Sequence, residues 1–259
     1  MPALFPDIPS LVACVLIMAG AQLIYATVGF GAGMFAVSLM AMLLPDLAGV
    51  VSVLVILTLV TEVWVLAHAW RQARPRLLLT LLPGMVLGLV LGTQVLVAGN
   101  AAALKRVLGL VVLAAGVWFF CERNGAALNA DATPGTIRRN WWLAGPVGFI
   151  SGVLGGMYGT GGPPVIVYLR SCRLDKGAFR ATILWFFMTM SVVRGGVYVQ
   201  KGILTADILL AAAWLLPGSL TGIVAGMAIH RSVSERQFAR GVAVLLVVLG
   251  GLLLVGTGR

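Results

Sequence analysis

The sequence predicts an all-α, polytopic helical membrane protein. It has two homologous four-segment halves, read as inverted repeats, with segments one and five broken or re-entrant. Three observations predict this. Of 259 residues, 60% are hydrophobic and only 10% are charged, against about 25% charged in an ordinary soluble domain. Apolar runs long enough to cross a bilayer recur from end to end, unlike the short alternating strands of an outer-membrane barrel. Two glycine-rich interruptions fall inside such runs, 130 residues apart.

Segment one runs from about Leu11 to Leu44. A continuous helix of that length measures about 50 Å, too long for a hydrocarbon core of about 30 Å. It must break, tilt strongly or fold back, and Gly29-Phe30-Gly31-Ala32-Gly33 marks the place. Pro45-Asp46 ends it. Segment two covers Leu47 to Trp70 and stops at the basic run Arg71 to Arg76. Segments three and four cover Leu77 to Val97 and Ala102 to Phe120. A polar connection with Asn124-Gly125 and Thr133-Pro134-Gly135 follows, and turn formers of this kind read as a linker. The predicted organisation is therefore a first membrane repeat over 1–122, a linker over 123–140 and a second membrane repeat over 141–259.

Segment five, Trp141 to Leu169, carries the stronger interruption: Gly155-Gly156-Met157-Tyr158-Gly159-Thr160-Gly161-Gly162-Pro163-Pro164. Glycine is too permissive and proline lacks the N–H for a regular helix interior there. Lipid cannot satisfy the freed backbone groups, so the break must be buried in protein or line a wet cavity. Segments six, seven and eight cover Ala178 to Val199, Ala206 to Ile229 and Phe238 to Val255.

The halves read as internal copies. Gly29 aligns with Gly159 and Gly31 with Gly161, an offset of 130. Leu81-Leu82-Pro83-Gly84, with Gly88 and Gly92, matches Leu215-Leu216-Pro217-Gly218, with Gly222 and Gly226, at an offset of 134. Leu104-x-Arg106 matches Phe238-x-Arg240 at that same offset. The G-x-x-x-G-x-x-x-G rows in segments three and seven place small residues on one helix face, a packing feature.

The formal charge of +10 sits mostly in short connections, as membrane orientation requires. No basic patch interleaved with aromatics points to nucleic acid. If each broken segment crosses once, the basic residues divide eight against nine, with no bias. If each enters and leaves on one side, they divide thirteen against four, a normal positive-inside asymmetry. That arrangement gives three crossings per half and makes the halves inverted repeats, a common transporter plan. The three cysteines, Cys14, Cys121 and Cys172, are scattered and form no C-x-x-C pair, so neither a disulfide framework nor a metal site is indicated. No cofactor is expected.

The paired glycine-rich breaks, the duplicated halves and the Pro-Gly starts resemble the sulfite exporter TauE/SafE family of membrane permeases, over nearly the whole chain. The family's glycine motif appears as Gly29-x-Gly31-Ala32-Gly33 and Gly159-x-Gly161-Gly162-Pro163. The first copy has Ala for a glycine and the second has Pro for the last one. The resemblance implies transport of small anions, especially sulfite and sulfonates, across a cell membrane, with the bacterial inner membrane as the expected location. It implies no enzymatic activity.

The residues themselves suit an anion. Pro163-Pro164 fits the first turn of a new half-helix. The free amides of Gly159 to Gly162 and the helix dipole then make a positive site without a charged side chain. The predicted substrate-binding set is Gly29, Gly31, Gly33, Tyr158, Gly159, Thr160, Gly161, Gly162, Pro163 and Arg194, with Gln22, Tyr25 and Thr27 lining the preceding half-helix. Glu62 and Arg194 are charges inside apolar segments two and six, where charge is costly and usually functional or paired. Arg194 is expected to hold the anion, and Glu62 to pair with it or accept a coupling proton. His68 and His230 read as boundary or packing residues. The expected partners are a small anionic substrate and the bilayer, with no nucleic acid; a homo-oligomer is left open. An anion channel using the same breaks is the alternative. An intramembrane hydrolase built on Ser151 is a lesser one, since neither histidine is clearly at its depth.

Overall fold

The computed structural model describes residues 2–28, 31–69, 72–121, 141–172, 174–230 and 235–256. The expected linker over 123–140 lies outside them. Among the described residues every element is helical: α1 (Ile8–Val28), α2 (Ala32–Leu43), α3 (Leu47–Ala69), α4 (Pro75–Ala98), α5 (Ala101–Cys121), α6 (Trp141–Tyr158), α7 (Gly162–Ser171), α8 (Lys176–Gln200), α9 (Ala206–His230) and α10 (Glu235–Gly256). Both expected interruptions are real: segment one divides into α1 and α2, and segment five into α6 and α7. With 12 and 10 residues, α2 and α7 reach only about 18 and 15 Å, half a hydrocarbon core.

The connections start the helices by capping them. Asp7 accepts from the Ser10 amide at 2.8 Å, Asp46 from Gly49 at 3.0 Å, Asn100 from Ala102 at 2.8 Å and Asp175 from Ala178 at 2.8 Å. Each side-chain oxygen satisfies an amide that has no partner within its helix. Among the described residues five helical spans, beginning at Ile8, Pro75, Ala101, Gly177 and Ala206, are long and apolar enough to cross a membrane. Large apolar side chains such as Leu16, Leu79, Leu87, Val224 and Val248 face outward, as lipid permits. Trp141 and Trp142 stack on each other, exposed, at the start of α6, a placement typical of the membrane interface.

The helices group into two units. One holds α1, α2, the Leu47–Leu57 part of α3, α5, α9 and α10. The other holds the rest of α3, α4, α6, α7 and α8. In the first, Gly218, Gly222 and Gly226 of α9 press on the α1 backbone at Val15, Ala19 and Leu23. Gly109 and Gly116 of α5 likewise meet α10 around Gly250 and Val247. In the second, Gly84, Gly88 and Gly92 of α4 press on α6 at Gly145, Phe149 and Val153. Gly148, Gly152 and Gly156 of α6 press back at Leu81, Met85 and Leu89. A methyl group on Gly218, Gly222, Gly226, Gly84, Gly88, Gly92, Gly148, Gly152 or Gly156 would strike the facing helix, mostly at its main chain. The glycine rows are thus helix–helix seams, and small residues are what let backbones approach this closely. Each of these seams joins a segment from the first half of the sequence to one from the second.

Candidate functional site at the α6–α7 break

α6 stops at Tyr158 because Gly159 takes a φ of 71°, a conformation only glycine adopts freely. The Gly159 amide donates to the Gly155 carbonyl at 2.9 Å and the Thr160 amide to Leu154 at 3.4 Å. α7 starts at Gly162, with Gly161 as its cap and the proline pair in its first turn, as the sequence predicts. The expectation of four open amides needs correcting. Those of Gly159 and Thr160 are spent on closing α6. Those of Gly161 and Gly162 have no acceptor among the described residues.

One face of α8 lies along this break. The Phe187 ring stands against Gly162, the Met190 sulfur against both Gly155 and Gly161, and the Arg194 guanidinium against Gly159. Arg194 Nη1 donates to the Gly155 carbonyl at 3.1 Å, and the Tyr198 hydroxyl donates to Gly156 at 2.9 Å. The last carbonyls of a helix lack internal partners and carry partial negative charge. Here a buried phenol satisfies the Gly156 carbonyl, and a buried cation adds a second donor to the Gly155 carbonyl that already accepts from Gly159. With 2% of its surface exposed, Arg194 does not snorkel toward the interface. Glu62, 6% exposed on α3, forms a side-chain hydrogen bond with Ser191 and lies within the field of Arg194.

In this unit Glu62 Oε2, Ser151 Oγ, Thr160 Oγ1 and Arg194 Nε are buried without a hydrogen-bond partner among the described residues, as Gln22 Oε1 and Ser38 Oγ are in the other unit. Buried polar atoms in folded proteins are overwhelmingly paired, so each of these atoms calls for an explanation. No group of acidic, histidine or cysteine side chains suited to a metal ion occurs among the described residues.

The structure therefore brings Tyr158, Gly159, Thr160, Gly161, Gly162, Pro163, Arg194 and Glu62 into one unit. Gly31 and Gly33 belong to the other. There Gly31, with a φ of 92°, caps α2, and Gly33 sits in the first turn of that helix. Gly29 lies outside the described residues, as do the side chains of His68 and His230. Of the expected lining, Thr27 turns its hydroxyl back onto the Leu23 and Ile24 carbonyls. Gln22 is buried. Sequence reasoning missed Met190, Ser191 and Tyr198. The signal was present: they lie three or four residues from Arg194, on its own helix face.

Long apolar helices, glycine seams and a charged side chain buried at a helix break define a multi-pass membrane protein of the transporter class. The model of the family described as "Sulfite exporter TauE/SafE" matches residues 14–253. The chain belongs to that family, which is one of transporters and not of enzymes. It is also similar to a protein of Cupriavidus necator named "Probable sulfite/organosulfonate exporter TauE". The two are 29% identical over 204 residues, covering 76% of each chain. No solved structure matches the chain.

Proposed function

We propose that the chain is a secondary transporter of a small sulfur oxyanion, sulfite or an organosulfonate, working by alternating access. The observation that carries this is Arg194: a buried guanidinium with an open Nε, held at the α6 side of the α6–α7 break against Gly155 and Gly159. Moving an anion into a bilayer is costly, and a fixed cation with a helix N-terminus offsets that cost. Gly159 supplies the joint about which α6 and α7 change their angle. Gly29, Gly31 and Gly33 are proposed to play the matching part in the first half of the sequence, with the two halves proposed to be inverted repeats. The name of the Cupriavidus relative supports the sulfur chemistry.

Charge balance adds a coupling scheme. Arg194 and an ionised Glu62 sum to zero, so an arriving anion leaves the site with one negative charge. Protonation of Glu62 restores neutrality, which favours anion and proton moving together. Sulfite flux into proteoliposomes tests the reading. The expected result is saturable flux in the wild type and its loss, by at least about tenfold, in Arg194→Ala at equal reconstitution. Flux that rises linearly with sulfite favours the channel alternative. Normal saturable flux in Arg194→Ala removes the proposed site.

A further inference from the structure

Several buried hydroxyls on the helices of this protein bond back onto their own helix. Ser52 donates to the Ala48 carbonyl, Thr93 to Leu89, and Ser219 to Leu215, the usual four-residue back-bond of a membrane or core helix. Ser151 departs from this pattern, as Ser38 on α2 does in the other unit. It sits in mid-α6 with no exposed surface, and its hydroxyl has no partner among the described residues. Its position is not remote from the break. The Ser151 carbonyl stands where a methyl group on Gly161 would have to go, so Ser151 lies directly beneath the residue that caps α7. Thr160, 4% exposed, adjoins that cap and also has an unpartnered hydroxyl.

We infer that Ser151 is a ligand of the transported anion and completes a donor set selective for three-oxygen anions; this rests on the transporter reading above. The set is the Arg194 Nε–H, the hydroxyls of Ser151 and Thr160, and the amides of Gly161 and Gly162. A carboxylate presents two oxygens with about four acceptor positions, whereas sulfite and sulfonates present three oxygens with about six. Five donors exceed what a carboxylate takes and fall within what a sulfonate takes. A donor left unmatched in a buried site penalises the poorer ligand more than a matched donor rewards the better one. Ser151 therefore contributes to selectivity as well as to affinity.

The test uses the full chain in nanodiscs, titrated with sulfite, methanesulfonate and acetate while thermal midpoint and binding are followed. The wild type is expected to be stabilised by the two sulfur anions and to bind acetate at least about tenfold more weakly. Ser151→Ala removes a hydroxyl that has no partner among the described residues. Its midpoint without anion should therefore equal or exceed that of the wild type, while sulfite binds about tenfold more weakly. Thr160→Val, which keeps the shape and removes the hydroxyl, should weaken sulfite similarly. A Ser151→Ala protein that binds sulfite as the wild type does overturns this inference and leaves the transporter reading standing. So does a lowered midpoint with unchanged affinity, which marks a structural hydroxyl. Acetate binding equal to methanesulfonate overturns the selectivity claim. A wild type stabilised by none of the three anions overturns the reading beneath it as well.

Discussion

Arg194 carries a full charge with 2% of its surface in contact with solvent. Removing a charge from water is costly unless partners repay it. Its partners are unusual, because none that it hydrogen-bonds is an acid: Nη1 is bonded to the Gly155 carbonyl, at the end of a helix. Tyr198, one turn further along α8, does the same for Gly156. The two side chains therefore tie α8 to the closing turn of α6. Replacing Tyr198 by Phe leaves the ring and strands one buried carbonyl, a change worth about 1 kcal/mol. The expected outcome is a lowered thermal midpoint for the purified protein, with sulfite affinity nearly unchanged, since the phenol faces α6 and not the open donors.

At the scale of elements, two kinds of glycine perform two kinds of work. Gly159 turns the chain at a positive φ. The seam glycines of α4 and α6 remain helical and act by what they lack, since any side chain there would meet the backbone of the facing helix. Substituting Gly88 or Gly152 with leucine should prevent α4 and α6 from closing and destabilise the protein by several kcal/mol, in the range of severe overpacking. Gly145→Ala is the control, because nothing lies within 4 Å of the added methyl. A folding assay in detergent, comparing monodisperse yield and thermal midpoint, should separate the two classes. The same seam logic recurs in α1 and α9, which is what a duplicated sequence would produce.

For the molecule as a whole, the proposed coupling scheme turns on the buried carboxyl of Glu62. It shares Ser191 and the field of Arg194 with the break, and its Oε2 is free of hydrogen bonds among the described residues. If Glu62 carries the coupling proton, Glu62→Gln should keep sulfite binding but uncouple flux from the pH gradient. Measured in proteoliposomes with and without an imposed gradient, the wild type should show acceleration and the variant none. A variant that still responds to the gradient assigns the proton to another group.

Much of this was legible in the residues alone. Helix number and ends, both breaks and the proline start of α7 follow from short-range causes: apolar length against bilayer thickness, capping side chains before apolar runs, and the backbone limits of glycine and proline. Arg194 and Glu62 stood out because charge is rare at such depth. Tertiary structure decided the rest. Arg194 and Gly155 are 39 residues apart, and nothing local makes one the cap of the other; that follows from how α8 settles against α6. The same packing spent two of the four expected amides. It also put seams between segments of different sequence halves, because a glycine row states that a helix will approach closely but not which helix will come.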